Sequence, residues 1–514
     1  MTSGTSTDWI DRIALHDGRR EALLVQGVPV DYASLVSRAV ETAERLGALG
    51  VESGDLVAVL APPSAAGVAL IHALLDQRII LLPLNGRLSE RELRDALERT
   101  RARFLIVARG VDDAKAIRLS ESVGCGLIDF SSDDVLLQRS PDLLKVRSPR
   151  VTESDEHTQD RARRIGEGAA LVLQTSGTGG RPKAAVLTFE NLIASAEASA
   201  EMLGADEEGR WLLCMPLFHI GGLSILIRSA LFGSSVVLHE RFDAERVARS
   251  LDEDRVTRVS FVATMLAKVI AARGDRRAPE SLELVLLGGG PASQDLLSRA
   301  RDLHYPIAPT YGLTEAASQV ATRPPSAPVA SETDLSGGLE ALPGVEIRIA
   351  DADGKRVGAG VDGEIQLRGP ILMKAYLDDL EATSRVLREG WFSTGDVGRL
   401  DLKGHLRVLD RRSDLILSGG ENIYPAEVES VLTAHPDIED AAVIGIPNKE
   451  YGASPVAYVV LHPNTELNPA SLNSFCRDRL AAYKVPIDFI AIPELPRTPS
   501  GKLQRRHLAT RNRA

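Results

Sequence analysis

Between Leu56 and Asn85 the chain reads LVAVLAP, then AAGVALIHALLDQ, then IILLPLN. Two short apolar runs bracket a segment of helical length. Runs of Val, Leu and Ile with no polar alternation must be covered on both faces, which points to a parallel sheet with helices packed over it. ERELRDALERTRA followed by FLIVAR continues the alternation. A second series begins after Leu171 with RWLLCMP, GGLSILIRSALF, SSVVLHE, VTRVSFVA and LELVLLGGGP. The pattern predicts an α/β fold. Pro62 and Pro63 interrupt the longest apolar stretch, so it reads as strand, turn and helix, and no membrane span is expected.

A chain of 514 residues exceeds one ordinary core, so at least two domains are expected, one of them large. Residues 131–168 are polar and charged and read as an exposed insertion. From Gly337 the texture changes to short strands with Gly and Asp turns (GVEIRIADADG, GEIQLRGP), the mark of a small β unit. After VLDRRSDLILSGGENIYP, helix and strand alternate again over about 100 residues, enough for a small α+β domain. The balance of 60 Lys and Arg against 71 Asp and Glu, a net charge of −11, argues against a nucleic-acid binder; the basic KLQRRHLATRNRA near the end is a local exception. Cys125, Cys214 and Cys476 are far apart and odd in number, which excludes a disulfide framework or zinc spacing. With an N-terminus that lacks an apolar signal core, these features make the expected compartment the cytoplasm.

The chemistry is carried by separated segments of one character. TSGTGGRPK, residues 175–183, joins two apolar runs. Its glycines let backbone amides approach oxygen, its hydroxyls donate, and Lys183 adds charge, so it can hold phosphate. Lys183 is followed by AAVLTF, a strand, so the loop is a hairpin and not the usual phosphate loop that opens a helix. In LLGGGPAS an apolar strand runs into Gly288, Gly289, Gly290 and Pro291, bare backbone that can receive a flat ring or ribose. PTYGLTEAASQ presents the aromatic face of Tyr311, the hydroxyl of Thr314 and the carboxylate of Glu315, a group suited to anchoring Mg²⁺ beside phosphate. WFSTGDVGRLD places Asp396 in a Gly turn, able to accept two sugar hydroxyls. DRRSDLILSGGENIYP and LPRTPSGKLQRR complete the set, the latter with Lys502 on a Pro/Ser/Gly arm. Taken singly, each has a plain reading as a turn, a helix start or a solvated lysine. Their joint occurrence in this order is what carries weight.

In that order they resemble the motifs of the adenylate-forming superfamily: acyl-CoA synthetases, adenylation domains of peptide synthetases and firefly-type luciferases. The resemblance covers nearly the whole chain. It implies a large N-terminal domain, residues 1–410, of two α/β sheets and a small β-barrel. A small mobile α+β C-terminal domain, residues 414–514, follows a hinge at 411–413. It also implies ATP, Mg²⁺ and coenzyme A as the cofactors and co-substrates of a carboxylic-acid ligase. By the same resemblance Thr175, Ser176, Gly177, Thr178, Gly179 and Lys183 hold the ATP phosphates. Gly288, Gly289, Gly290 and Pro291 lie along the adenine, on which Tyr311 stacks next to Gly312. Thr314 touches phosphate, Glu315 binds Mg²⁺, and Asp396 and Arg411 hold the ribose. Lys502 reaches the acid and the α-phosphate, so Thr178, Glu315 and Lys502 are the implied catalytic residues. Gly419 and Gly420 leave room for the pantetheine arm of CoA when the small domain swings for the thiol step. Two departures stand out. Gly179 and Ala184 replace a threonine and a glycine of the usual loop, which removes one hydroxyl donor and one flexible residue. Ser413 falls at a hinge that is often Asp or Lys.

CMPLFHIGGLSILIRSALFGSSVVLHERFDAE, LNGRLSERELRDAL and YGLTEAASQVATRPP resemble more narrowly the branch of that family that joins o-succinylbenzoate to CoA in menaquinone biosynthesis. That acid carries a second carboxylate on its ring. Arg228, a charge in an otherwise apolar helix, then becomes its expected partner, with Ser318 and Gln319 adding hydrogen bonds and His219 walling the acyl site. The plain alternative for Arg228 is a protein acid or a route to the surface. Other readings are a CoA ligase for another aryl or medium-chain acid, a module that loads a carrier protein, and a non-catalytic nucleotide-binding protein. No carrier segment follows Lys502, which favours CoA. No nucleic-acid partner is expected, and a homo-oligomer is left open.

Overall fold

Leu56–Leu60 and Ile80–Pro83 are parallel strands joined by the helix Ala65–Asp76 in the computed structural model of this chain. The structure describes residues 9–108, 113–130, 144–148, 165, 167–176, 182–205, 207–290, 292, 294–323, 338–410, 415–463, 465–496, 503 and 505–509. Ser64 caps the connecting helix by accepting from the Gly67 amide, and every residue from Ala65 to Leu75 is buried, as a helix without a polar face requires.

These strands sit inside an eight-stranded sheet. Its order is Ala375–Tyr376, Pro182–Thr188, Ala169–Ser176, Ile80–Pro83, Leu56–Leu60, Phe104–Ala108, Gly126–Phe130 and Leu144–Ser148. The last strand pairs antiparallel with Gly126–Phe130 and falls within the stretch read as an exposed insertion. The expectation missed it because an edge strand can be held by backbone hydrogen bonds without an apolar run to announce it. The strands on either side of the 175–183 loop match the hairpin reading.

A nine-stranded sheet follows the order Glu340–Ala341, Ser318–Thr322, Ile307–Leu313, Leu284–Leu287, Arg258–Phe261, Arg210–Leu213, Ser235–Leu238, Glu21–Val25 and Val28–Asp31. From Ile307–Leu313 to Glu21–Val25 its neighbours are parallel. Arg210–Leu213 lies between the two strands that follow it in sequence, so the direction of winding reverses there. Ligands gather outside the carboxyl ends of strands at such a reversal. The helices Phe189–Leu203 and Ile220–Phe232 pack on each other and on Ser318–Thr322. A capping box between Thr188 and Asn191 starts the first helix, and Gly233 at φ 74° ends the second. The small β unit is a five-stranded sheet, Glu346–Ala350, Gly363–Arg368, Trp391–Leu400 and Leu387–Arg388, with Leu406–Asp410 also on Trp391–Leu400.

The chain divides into two compact units. The first comprises Met1–Asn85, Leu97–Leu173 and Ala184–Leu409; the second comprises Gly86–Ala96, Gln174–Lys183 and Asp410–Ala514. The second unit carries a sheet ordered Glu421–Ile423, Ile416–Ser418, Gly452–Leu461 and Ile438–Asn448, with Asp488–Ala491 parallel to Gly452–Leu461. The helices Pro425–Thr433 and Pro469–Arg477 contribute to a core that includes Ile416, Val428, Leu432, Val443, Val459, Leu472 and Phe489. This is the expected α+β texture. Among the described residues no helix is long and apolar enough to cross a membrane.

Candidate active site

Strand Ile307–Leu313 runs into a single 3₁₀ turn, Thr314–Ala316, and returns antiparallel as Ser318–Thr322. The two backbones come so close that a Cβ on Gly312 would lie 1.9 Å from the Ser318 carbonyl oxygen, so this position admits only glycine. The return is made by two non-glycine residues at positive φ, Ala317 at 49° and Ser318 at 109°. Each such residue costs about 1–3 kcal/mol and persists only where its surroundings hold it. Here the Ser195 hydroxyl donates to the Ala317 carbonyl at 2.8 Å, and the Ala317 amide donates to Thr314 O at 3.1 Å. The tight return keeps Tyr311, Thr314, Glu315, Ser318 and Gln319 on one short stretch.

Two buried phenols hold the acids of this region. Tyr311 Oη donates to Asp396 Oδ2 at 2.7 Å, linking the large sheet to the Trp391–Leu400 strand. Tyr376 Oη donates to Glu315 Oε1 at 2.8 Å, and the Met373 amide donates to the Glu315 carbonyl at 2.7 Å. Tyr376 itself is paired in register with Ala185 on the strand Pro182–Thr188, which contains Lys183. Gly288 ends its strand against Thr310, whose methyl would lie 2.8 Å from a Cβ there, and Gly289 stands at φ 79°. The described residues contain no cluster of three or more His, Cys, Asp or Glu that could cage a metal. A buried single carboxylate fits Mg²⁺ nonetheless, because that ion takes one or two protein carboxylates and completes its shell with water and substrate phosphate.

Arg228 is the third feature. It is 5% exposed in the helix Ile220–Phe232, with its guanidinium 4.4 Å from the centre of the Trp211 ring. Its Nε is buried with no hydrogen-bond partner, and among the described residues no carboxylate pairs with it. Burial, and then the charge of Arg258, pull its pKa down to about 9, so it stays charged at neutral pH. It lines a small cleft with Leu192, Ser195, Ala196, Ile220, Ser224 and Ala317. The Ser224 hydroxyl lies 3.4 Å from that of Ser318. His219 is the N-cap residue of the same helix, makes no capping bond with its side chain, and packs its ring 4.6 Å from Phe218. Gln319 is 2% exposed and its amide is engaged by protein groups, which places it behind Arg228 instead of facing a ligand.

The other expected site residues are distributed as follows. Thr175 is the last but one residue of the strand Ala169–Ser176 and Lys183 the second of Pro182–Thr188, both half-buried. The Ser176 side chain, Gly177, Thr178, Gly179, Pro291, Arg411, Ser413 and Lys502 lie outside the described residues. Gly419 and Gly420, at φ 59° and 87°, form the turn between strands Ile416–Ser418 and Glu421–Ile423 of the second unit. Sequence reasoning missed Tyr376, Ser195, Ser199, Ser224 and Trp211. The one signal available was the spacing of Ser195 and Ser199, four apart and therefore on one helix face.

The chain matches the family model of the AMP-binding enzyme over residues 9–377, and that of the AMP-binding enzyme C-terminal domain over residues 427–502. It is 40% identical over 511 residues to the 2-succinylbenzoate–CoA ligase of Bacillus licheniformis, covering 98% of this chain and 99% of that protein. A double mutant of the o-succinylbenzoate CoA synthetase of Bacillus subtilis, bound with its product analogue OSB-NCoA, superposes with a TM-score of 0.86 at 37% identity, covering 98% of both chains. The same enzyme in complex with ATP and magnesium ion superposes with a TM-score of 0.69 at 37% identity, covering 98% of this chain and 99% of that one.

Proposed function

The chain belongs to the AMP-binding enzyme family, and on that premise we propose that it is an AMP-forming acid–thiol ligase that converts o-succinylbenzoate, ATP and CoA to o-succinylbenzoyl-CoA for menaquinone biosynthesis in the cytoplasm. The observation that carries the choice of acid is Arg228, a buried cation beside a cavity with no protein carboxylate paired to it among the described residues. A substrate with two carboxylates can present one to this cation and the other to ATP.

A carboxylate is a poor electrophile because its oxygen leaves badly. In the first step its oxygen attacks the α-phosphorus of ATP; the new C–O–P link forms as the bond to the β-phosphate oxygen breaks, and pyrophosphate leaves. In the second step a thiolate attacks the activated carbonyl carbon, and AMP departs with the oxygen. The chain's own contributions are assigned on the family pattern. Thr175, Ser176, Gly177, Thr178, Gly179 and Lys183 hold the phosphates, with Thr314 beside them. Gly288 to Pro291, Tyr311 and Gly312 hold the adenine, and Asp396 and Arg411 hold the ribose. Glu315, kept in place by Tyr376, is the residue for Mg²⁺, which when bound offsets charge on the phosphate oxygens. Lys502 serves the first step; Gly419 and Gly420 serve the thiol step. His219 and Ser318 border the acid.

A panel of carboxylic acids assayed for AMP formation with CoA present tests the reading. O-succinylbenzoate is expected to be preferred over aryl and medium-chain acids with a single carboxylate. Arg228→Leu is expected to lower turnover of o-succinylbenzoate by a few kcal/mol in kcat/KM while acids without the ring carboxylate change little. Equal losses for both acids would make Arg228 structural, and a preferred acid with one carboxylate would replace o-succinylbenzoate as the substrate.

A further inference from the structure

We propose that Gln319 sets the acid specificity of this site: it fixes the guanidinium of Arg228 through an uncharged acceptor, and so leaves the positive charge for a carboxylate of the substrate. The inference rests on the functional reading above and deepens it.

A buried arginine is ordinarily held by an acid, because an unpaired charge in a low-dielectric interior is costly. Here the group that accepts from Arg228 NH1 is the Gln319 amide oxygen, at 3.4 Å. Two hydroxyls hold the rest of that amide, and the donor-only guanidinium decides which way it faces. The Ser199 hydroxyl donates to the same Oε1 at 2.7 Å, and Nε2 donates to Thr322 Oγ1 at 3.0 Å. Thr322 Oγ1 is in turn 2.7 Å from Thr310 Oγ1. Turned over, the amide would set its N–H groups against the N–H of Arg228, donor against donor. The carbonyl is therefore aimed at the guanidinium from a residue that is 2% exposed, on a strand packed under both helices of the cavity.

A glutamate has the same reach and would hold Arg228 more strongly. It would also cancel the charge. The choice of amide over acid thus separates two tasks that a salt bridge would merge: orientation of the guanidinium, and neutralisation of it. Orientation comes from the protein. Neutralisation is left to whatever enters the cavity beside Arg228, which Ser195 and Ser224 also line. An acid that carries a second carboxylate completes the pair; one that lacks it leaves the cation buried and unmatched, which penalises its binding.

The test compares o-succinylbenzoate with 4-oxo-4-phenylbutanoate, the same skeleton without the ring carboxylate. Pyrophosphate release gives kcat/KM, and calorimetry gives the dissociation constant of each acid. Gln319→Glu is expected to weaken o-succinylbenzoate on the order of 10- to 100-fold, the range for a charged hydrogen bond, with 4-oxo-4-phenylbutanoate changed only a few-fold. Ser199→Ala, which removes the second hydrogen bond to the Gln319 amide oxygen and so loosens its hold on Arg228, is expected to narrow the preference by raising KM for o-succinylbenzoate with kcat close to parental; it supplies the answer should Gln319→Glu not fold. A parent enzyme that prefers o-succinylbenzoate, with a folded variant that keeps the parental ratio of the two acids, overturns the role of Gln319 alone. A parent enzyme that shows no preference between the two acids overturns the functional reading and this inference with it.

Discussion

Glu315 and Tyr376 show how a motif residue depends on one outside the motif. The carboxylate is recognisable from the YGLTE pattern, but its orientation comes from a phenol 61 residues further on, bonded at 2.8 Å. Tyr376→Phe keeps the ring in its buried place and removes only the hydroxyl. It is expected to raise the Mg²⁺ concentration needed for half-maximal pyrophosphate release by about 10-fold, the scale of one charge-assisted hydrogen bond, with little change in melting temperature. Glu315→Ala is expected to abolish adenylation in a protein that still folds. Mn²⁺ binding followed by electron spin resonance in the presence of ATP reads the same assignment without turnover: weakened in the first variant, lost in the second. A Tyr376→Phe enzyme with parental Mg²⁺ dependence would reduce that hydrogen bond to packing.

At the scale of the element, the turn from Thr314 to Ser318 is a strained return made possible by one glycine. With its Cβ 1.9 Å from Ser318 O, alanine at Gly312 must push the two strands apart. Gly312→Ala is expected to cost on the order of 4 kcal/mol or more and to lower the unfolding temperature sharply, in contrast to Gly288→Ala, whose clash is with a single threonine methyl. The helix Ala65–Asp76 carries a different liability. His72 is buried there, accepts from the Trp9 indole at 3.0 Å, and burial pushes its pKa down to about 4. Above pH 6.5 the ring is neutral folded or unfolded and contributes no pH dependence. As pH falls from 6.5 toward 4 the unfolded chain takes a proton that the folded one refuses, so stability is lost across that window, up to on the order of 3 kcal/mol. Melting temperatures measured across this range should fall less steeply for His72→Asn than for the parent. Parallel slopes would show that His72 does not set the acid limit.

For the whole molecule, the proposed reaction needs two half-reactions with different demands, and in the proposed assignment the first falls to Lys502 and the second to Gly419 and Gly420. Lys502→Ala is expected to stop formation of the acyl adenylate yet still make the thioester from ready-made adenylate and CoA. Gly420→Leu replaces a residue at φ 87°, and is expected to do the reverse, sparing pyrophosphate release while the thiol step fails. Single-turnover assays of each half-reaction separate these outcomes; parallel loss of both steps in both variants would favour one fixed arrangement.

The alternation of apolar runs and helical segments determined the α/β class, because burial on both faces leaves its mark in every strand. The motif order also pointed to the family, since each motif is a local stretch whose glycines, hydroxyls and charges act on neighbouring backbone. Arg228 could be singled out for the same kind of reason: a charge in an apolar helix is visible as an anomaly. What it pairs with was not visible. The edge strand Leu144–Ser148 was hidden because backbone bonds alone make it. Tyr376 on Glu315, Tyr311 on Asp396, and the Ser199–Gln319–Thr322 chain behind Arg228 join residues as much as 120 positions apart. Only the tertiary structure decided these, because a hydrogen bond is set by distance and angle between side chains, and no spacing along the chain records which distant side chain the fold will bring within 3 Å.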